Sequence, residues 1–210
     1  VIFIRINQKG VVLSNADFVM SKIASDEDHG GNRMRKMVDY FCRLIVDKGF
    51  IKHIQDNDTV FKQSNYYNSI KWMATASDDL YVPDYIDMLR VAFTFKFSRG
   101  KFSDLVALLS GRNFETRSYE DSIAESSYAK LSEGLEAFVN QTNYQRFVMI
   151  IKSTGLVSKK LISSQNSLNF AYALYLKLRE DGMGEAESQG YVKRWMVMSM
   201  FIGRYSGSAE

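Results

Sequence analysis

Apolar residues recur along most of this chain at the spacing of an α-helix. In the clearest case they follow one another at intervals of three and four residues from Met34 to Ile45. This spacing places them on one face of a helix, with charged residues on the opposite face. Asn32 is the predicted N-cap of this helix, because its side chain can accept a free backbone amide. Gly49 is the predicted C-terminal cap.

Seven further segments have the same spacing, and they predict helices beginning near Ser14, Tyr66, Pro83, Tyr119, Tyr144, Leu168 and Tyr191. Glycine-containing turns separate most of them. Only residues 1–6 have any strand character, and they could equally be the last turns of a helix. The pattern therefore predicts an all-α protein, an irregular multi-helix bundle of about eight to nine helices with at most one short N-terminal strand.

The composition fits a folded helical protein with a substantial core. Of the 210 residues 46% are hydrophobic and 13% aromatic, which suits one large domain or two small ones. A polar region predicts a soft subdivision near 75–82. The single proline leaves long helices permitted almost everywhere. A formal net charge of +3 is too small to indicate nucleic-acid binding by itself.

The residue types exclude several kinds of site. One cysteine, Cys42, excludes an internal disulfide and a cysteine-rich zinc site, and it fits a reducing cytoplasm. The two histidines, His29 and His53, have no neighbours at metal-ligand spacing. No apolar run approaches the roughly 18 residues of a membrane span. Neither a phosphate-binding Walker loop nor a serine nucleophile elbow occurs. We therefore expect a cytoplasmic, non-enzymatic chain without a metal or a membrane partner.

Two interpretations remain open for the loop near the start of the chain. Its Asn7 and Gly10 could expose backbone amides to an anion ahead of the helix beginning near Ser14, with Lys9 adding a cation. Alternatively, these residues form a simple connecting turn, and Ser14 caps the helix.

Basic residues form two candidate surfaces for nucleic-acid phosphates. The first lies on the predicted helix after Asn32, and the second, looser one lies beside Phe97 and Phe102. Such cations give affinity without base specificity, but a charged helix face can also serve only to keep a helix solvated. The first surface consists of Arg33, Arg35, Lys36 and Arg43, and the second of Lys96, Arg99, Lys101, Arg112 and Arg117.

Several motifs resemble the family called domain of unknown function 262 (DUF262). The opening motif consists of Ile2-Phe3-Ile4-Arg5-Ile6-Asn7, Gly10, Leu13-Ser14, Ala16-Asp17-Phe18 and Ser21-Lys22-Ile23-Ala24. Later segments resemble a bacterial subgroup: Gly30-Gly31-Asn32, residues 87–93, residues 109–115, residues 168–172 and residues 203–208. The resemblance covers nearly the whole chain.

This resemblance implies a place in a larger protein. The family is the N-terminal domain of GmrSD-type, modification-dependent restriction and phage-defence systems, related to the ParB and sulfiredoxin fold. Its members carry an Asp-Gly-Gln-Gln-Arg motif upstream, which this sequence lacks, and Lys9 stands where the family commonly has glycine. We therefore expect residues 1–25 to form the edge of a ParB-like unit and residues 26–210 a helical domain. The chain also has no initiator Met, so we expect it to be a fragment.

The resemblance predicts a non-catalytic helical portion that packs on a missing ParB-like nucleotide- or DNA-processing domain. Arg5, Asn7, Lys9 and Gly10 would lie near that domain's site, and Arg33 and Lys36 would contact a nucleic-acid backbone. No cofactor is expected in this chain, although the parent could bind a nucleotide. The alternatives are an independent nucleic-acid-binding module, with DNA as the partner, and a purely structural or oligomerisation bundle.

Overall fold

The computed structural model describes residues 14–205, and this part of the chain forms eleven α-helices. They are α1 Asn15–Ser25, α2 Gly31–Val46, α3 Phe50–Asn57, α4 Thr59–Lys62, α5 Asn65–Ile70, α6 Tyr85–Phe97, α7 Phe102–Leu109, α8 Asp121–Val139, α9 Gln141–Ser153, α10 Gln165–Glu180 and α11 Glu185–Phe201. Short 3-10 segments cover Lys71–Thr75 and Lys159–Leu161. The described residues contain no strand, so the all-α prediction is confirmed, with eleven helices rather than eight or nine. The predicted strand, residues 1–6, lies outside them.

The three helices that the sequence pattern missed are α3, α4 and α7. They contain eight, four and eight residues. So few turns give an apolar stripe little chance to repeat, which explains why periodicity did not reveal them. Pro83 was expected to open α6, but it precedes Asp84, whose side chain caps this helix.

The start of α1 and both ends of α2 test three caps that the sequence predicts. Ser14 caps α1 as predicted, and its side chain forms a reciprocal capping box with Asp17. The prediction that Asn32 caps α2 was wrong. The N-cap is Gly30 at φ +69°, a left-handed conformation that glycine adopts without a steric penalty. The predicted Gly49 cap was also wrong, because α2 ends at Val46.

Helix α6 lies at the centre of the bundle and packs against α8 and α10. Its contact with α8 is close at Gly134, where an added Cβ would lie 3.1 Å from the Cβ of Ala92. Near the start of α6, Asp87 accepts a 2.6 Å hydrogen bond from Asn169 of α10. Near the other end, Lys96 bonds to Glu180. The two helices therefore run parallel, while α11 packs against α10 and, less extensively, against α9.

Aromatic rings fill the centre of the core. The Tyr172 ring stacks on Phe147 with 4.5 Å between the ring centroids, and it packs against Phe138 at 5.0 Å. Its hydroxyl donates to the Phe138 carbonyl oxygen at 2.8 Å. Tyr81, from the segment between α5 and α6, is buried against the same rings. Such a hydrogen-bond partner matters because a buried hydroxyl without one would destabilise the fold.

The soft subdivision predicted near 75–82 stays a prediction.

Candidate binding surfaces

The predicted site residues fall into two groups. Arg5, Asn7, Lys9 and Gly10 lie outside the described residues, so their roles stay predictions. Arg33 and Lys36 lie in the first two turns of α2.

Lys36 is part of an ion pair that joins α2 to α4. Its ammonium group donates to Asp58 at 2.6 Å, and the hydroxyl of Tyr40 donates to the same carboxylate oxygen at 2.9 Å. Asp58 also caps α4 by accepting the Phe61 amide. Burial raises the pKa of Asp58, but the bonds from Lys36, Phe61 and Tyr40 outweigh it, so the net pKa lies below its ordinary value. Lys36 is therefore already committed to a structural contact.

Arg33, by contrast, is exposed and forms no ion pair with any described residue. It lines a polar pocket of about 410 Å³, whose other lining residues are His29, Gly30, Gln63, Ser64, Asn65, Tyr66 and Glu136. The hydroxyls of Tyr66 and Ser132 are bonded at 2.9 Å, and Ser132 in turn donates to Glu136. The pocket thus combines a cation and a carboxylate, and Lys36 does not line it. Sequence spacing gave no sign that residues 63–66 and Glu136 would meet Arg33.

In the second basic surface, the structure pairs Lys96 and Arg99 with carboxylates. Lys96 lies 2.8 Å from Glu133 and 2.6 Å from Glu180. The hydrogen bond from Lys96 is the largest of the effects that lower the pKa of Glu180. Arg99 lies 3.2 Å from Asp104. Glu133 and Glu180 lie far from Lys96 in sequence, so the basic residues of this surface gave no sign that the charge of Lys96 is neutralised.

Cys42 and the two histidines all contact other side chains of the described residues. Burial raises the pKa of the Cys42 thiol far above its ordinary value, and this sulfur contacts that of Met88. His29 stacks on Tyr128 and bonds to Asp26 at 2.9 Å. His53 stacks on the ring of Phe50. Within residues 14–205, no three histidine, cysteine or acidic side chains are grouped as metal ligands.

The last two turns of α11 expose a group of apolar side chains that we call the apolar end of α11. The exposed fractions are 38% for Val197, 56% for Met198, 88% for Phe201 and 65% for Ile202. No charged residue occurs between positions 195 and 203. Met196, on the inward face of the same turns, is fully buried. A helix that is apolar on both sides is normally covered on both sides.

The apolar end of α11 lies at the same end of the bundle as residue 14. After α11, the Tyr205 carbonyl accepts a 3.1 Å hydrogen bond from Ser164, which caps the start of α10. The start of α10 contacts the start of α6 through Asp87. The start of α6 contacts that of α1, since Tyr85 donates to Asp17 at 2.7 Å.

Comparisons with protein-family models, curated proteins and solved structures gave no match for this chain. The resemblance to DUF262 therefore stays a prediction that rests on the motifs alone. None of the helices in residues 14–205 combines the length and the apolar character that crossing a bilayer would require.

Proposed function

We propose that this chain is a non-catalytic helical domain of a cytoplasmic bacterial protein resembling modification-dependent restriction and phage-defence systems. In this proposal it packs, through the apolar end of α11, on the ParB-like unit that the family resemblance places upstream. The helical domain itself binds no cofactor, and any nucleotide binds the parent protein elsewhere. Its role is to complete or gate the site of that unit.

The observation that carries this proposal is the exposure of Phe201 and its apolar neighbours at the end of the bundle where residue 14 also lies. A unit that precedes residue 14 in the chain would be connected to the bundle at this end. It would meet a surface with apolar side chains and no charge over residues 195–203. Desolvating such a surface costs little, and burying it stabilises a docked partner.

The chemistry of the described side chains supports the non-catalytic part of the proposal. A thiol whose pKa is raised by burial, as in Cys42, is a poor nucleophile at neutral pH. The carboxylate of Asp58 is neutralised by a lysine and also caps a helix. These groups stabilise the fold and are not available to a substrate.

The proposal is tested by supplying the upstream ParB-like unit as a separate polypeptide and measuring its association with this chain by sedimentation. The double variant Phe201→Asp, Ile202→Asp should bind at least about tenfold more weakly, because two carboxylates would have to be desolvated at the contact. Val60→Asp is the matched control, since Val60 is 72% exposed but lies on α4. No association, or equal loss in the control, would refute the docking surface. DNA cleavage or nucleotide hydrolysis by this chain alone would refute the non-catalytic assignment.

A second candidate function, nucleic-acid binding, is favoured by Arg33, whose guanidinium is exposed beside a polar pocket. It predicts affinity for DNA that falls steeply with salt concentration and is weakened by Arg33→Ala. Lys36→Ala should have less effect on binding, because Lys36 is held by Asp58. Absent or salt-independent binding would eliminate this candidate.

A further inference from the structure

The exposed face of α11 continues from its apolar end toward the start of the helix. Glu187, Gly190, Arg194, Val197 and Phe201 are all exposed, and they follow one another at intervals of three and four residues. The opposite side of the helix is buried in the bundle. An interval of this kind is typical of the a and d positions of a coiled coil, which a second helix covers. We call these five residues the outer seam of α11.

The outer seam has large and small positions that match when two copies of α11 run antiparallel. With a two-fold axis between positions 195 and 196, Phe201 of each copy lies opposite Gly190 of the other. A Cβ placed on Gly190 would meet nothing within 4 Å, so the space beside it is open to a ring. Phe201 is 88% exposed and therefore gains most from being covered. In the same register, Val197 lies opposite Arg194, so every position of the seam faces another.

The charges at the two ends of α11 also match in this arrangement. Glu187 lies in the first turn, and Arg204 lies in the turn that follows the helix. Both are exposed, and neither forms an ion pair with a described residue. The Arg204 amide donates to the Ser199 carbonyl at 3.0 Å, which fixes this turn on the helix. Antiparallel pairing brings Glu187 of each copy to Arg204 of the other, whereas parallel pairing would bring like charges together.

Arg194 limits the strength of such a contact. Its two copies approach each other beside the axis, and their like charges favour guanidinium groups that turn toward solvent. A polar residue in a coiled-coil seam fixes the register at a cost in stability. The seam also extends over only about four turns of helix. We therefore expect a weak dimer.

We propose that the outer seam of α11 pairs with the same seam of a second copy of this chain, antiparallel and about a two-fold axis. The pairing goes beyond the docking proposed above. Both contacts cover Val197 and Phe201, so they exclude each other, and a chain docked on the upstream unit does not pair. The pairing is measured on this chain alone, so its failure leaves the docking proposal in place, and failure of the docking leaves the pairing in place.

The first test is sedimentation equilibrium of this chain without any other polypeptide. The mean mass should stay near 24.1 kDa at about 5 µM and approach twice that value at about 500 µM, as expected for a small, weak interface. Docking of the upstream unit can therefore be measured in dilute solution without competition. A strict monomer at about 500 µM would overturn the proposal.

Charge reversal tests the register. Glu187→Arg should weaken the association about tenfold, because the symmetry replaces two attractive pairs by two repulsive ones. Arg204→Glu should weaken it similarly. An equimolar mixture of the two variants should associate within about twofold of the wild type, because each mixed dimer has an opposite charge facing every reversed one. A mixture that associates no better than either variant alone would overturn the antiparallel pairing.

Glu125→Arg is the matched control, because Glu125 is exposed on α8 and its reversal changes the net charge equally. This control should leave the association unchanged, and circular dichroism of each variant reports whether the helices are intact. If Glu125→Arg weakened the association as much as Glu187→Arg, net charge rather than the outer seam would be responsible, and the proposal would be wrong.

Discussion

Asn169 joins the buried hydroxyl of Tyr81 to the partly buried carboxylate of Asp87, which both lie far from it in sequence, and replacing Asn169 by leucine tests how this end of the bundle is held. Its side chain is fully buried. It accepts the Tyr81 hydroxyl at 2.9 Å and donates to Asp87 at 2.6 Å. Asn169→Leu keeps a similar volume but removes both bonds. Tyr81 would keep a buried hydroxyl without an acceptor, and Asp87 would lose a charge-assisted bond.

The expected cost follows from these two losses. An unsatisfied buried hydroxyl costs about 1–3 kcal/mol, and a lost bond to a charged group costs about 1.5–3 kcal/mol. Asp87 keeps contacts with Gln165 and the Asp84 amide, which favours the lower part of that range. The buried leucine recovers roughly 1–2 kcal/mol. The free energy of unfolding should therefore fall by about 2–3 kcal/mol.

Urea unfolding followed by circular dichroism measures this difference. Asn166→Leu is the matched control, because Asn166 lies on the same helix, is only partly buried and makes no side-chain hydrogen bond with a described residue. It should change stability by less than about 0.5 kcal/mol. In a double-mutant cycle, Tyr81→Phe should cost less in the Asn169→Leu background than in the wild type. A loss below about 1 kcal/mol for Asn169→Leu would refute the reasoning.

Two further substitutions have expected outcomes. Gly31→Ala should destabilise the fold by at least about 3 kcal/mol, because the new Cβ would lie 2.0 Å from the Ile23 carbonyl oxygen; thermal unfolding measures it. Asp58→Asn should cost about 1–2 kcal/mol at pH 7, where the carboxylate is ionised and bonded, and much less in acid. The folded pKa of Asp58 lies below the ordinary 3.8, so its contribution is complete above that value and is lost as the pH falls through the folded pKa. Urea unfolding of both proteins between pH 2 and pH 7 measures how the difference in their stability shrinks in acid.

Each of these substitutions has its own check. Gly100→Ala is the control for Gly31→Ala, since a Cβ on Gly100 would meet nothing within 4 Å. A similar, small loss of stability in both glycine variants would show that the Ile23 carbonyl oxygen does not exclude a side chain at position 31. For Asp58→Asn, a loss of stability that stays constant down to pH 2 would show that the loss does not come from the ionised carboxylate. The Lys36 side chain is 40% exposed, so screening limits its share of the loss.

The helical class followed from apolar spacing alone, because stripes such as Met34 to Ile45 repeat over several turns. The cap at Ser14 also followed from local chemistry. The N-cap of α2 did not, because the choice of Gly30 over Asn32 depends on the close approach of the Ile23 carbonyl to Gly31, a tertiary contact. Short helices such as α4 contain too few residues for a period to be recognised.

The candidate sites were predictable only in part. Arg33 was identified as a basic residue on a helix face, and the structure leaves its charge exposed. The pairing of Lys36 with Asp58 crosses 22 positions, and no local pattern indicates it.

The docking proposal is tested most directly by the reactivity of a thiol placed at the apolar end of α11. Cys42 is the only native cysteine and its thiol has a raised pKa, so Phe201→Cys introduces one readily labelled group. Val60→Cys is the control at another exposed position. In a longer polypeptide that carries the upstream ParB-like unit, labelling of Phe201→Cys should slow by at least about tenfold relative to this chain alone, while Val60→Cys keeps its rate. Equal labelling of Phe201→Cys in both polypeptides would contradict the account.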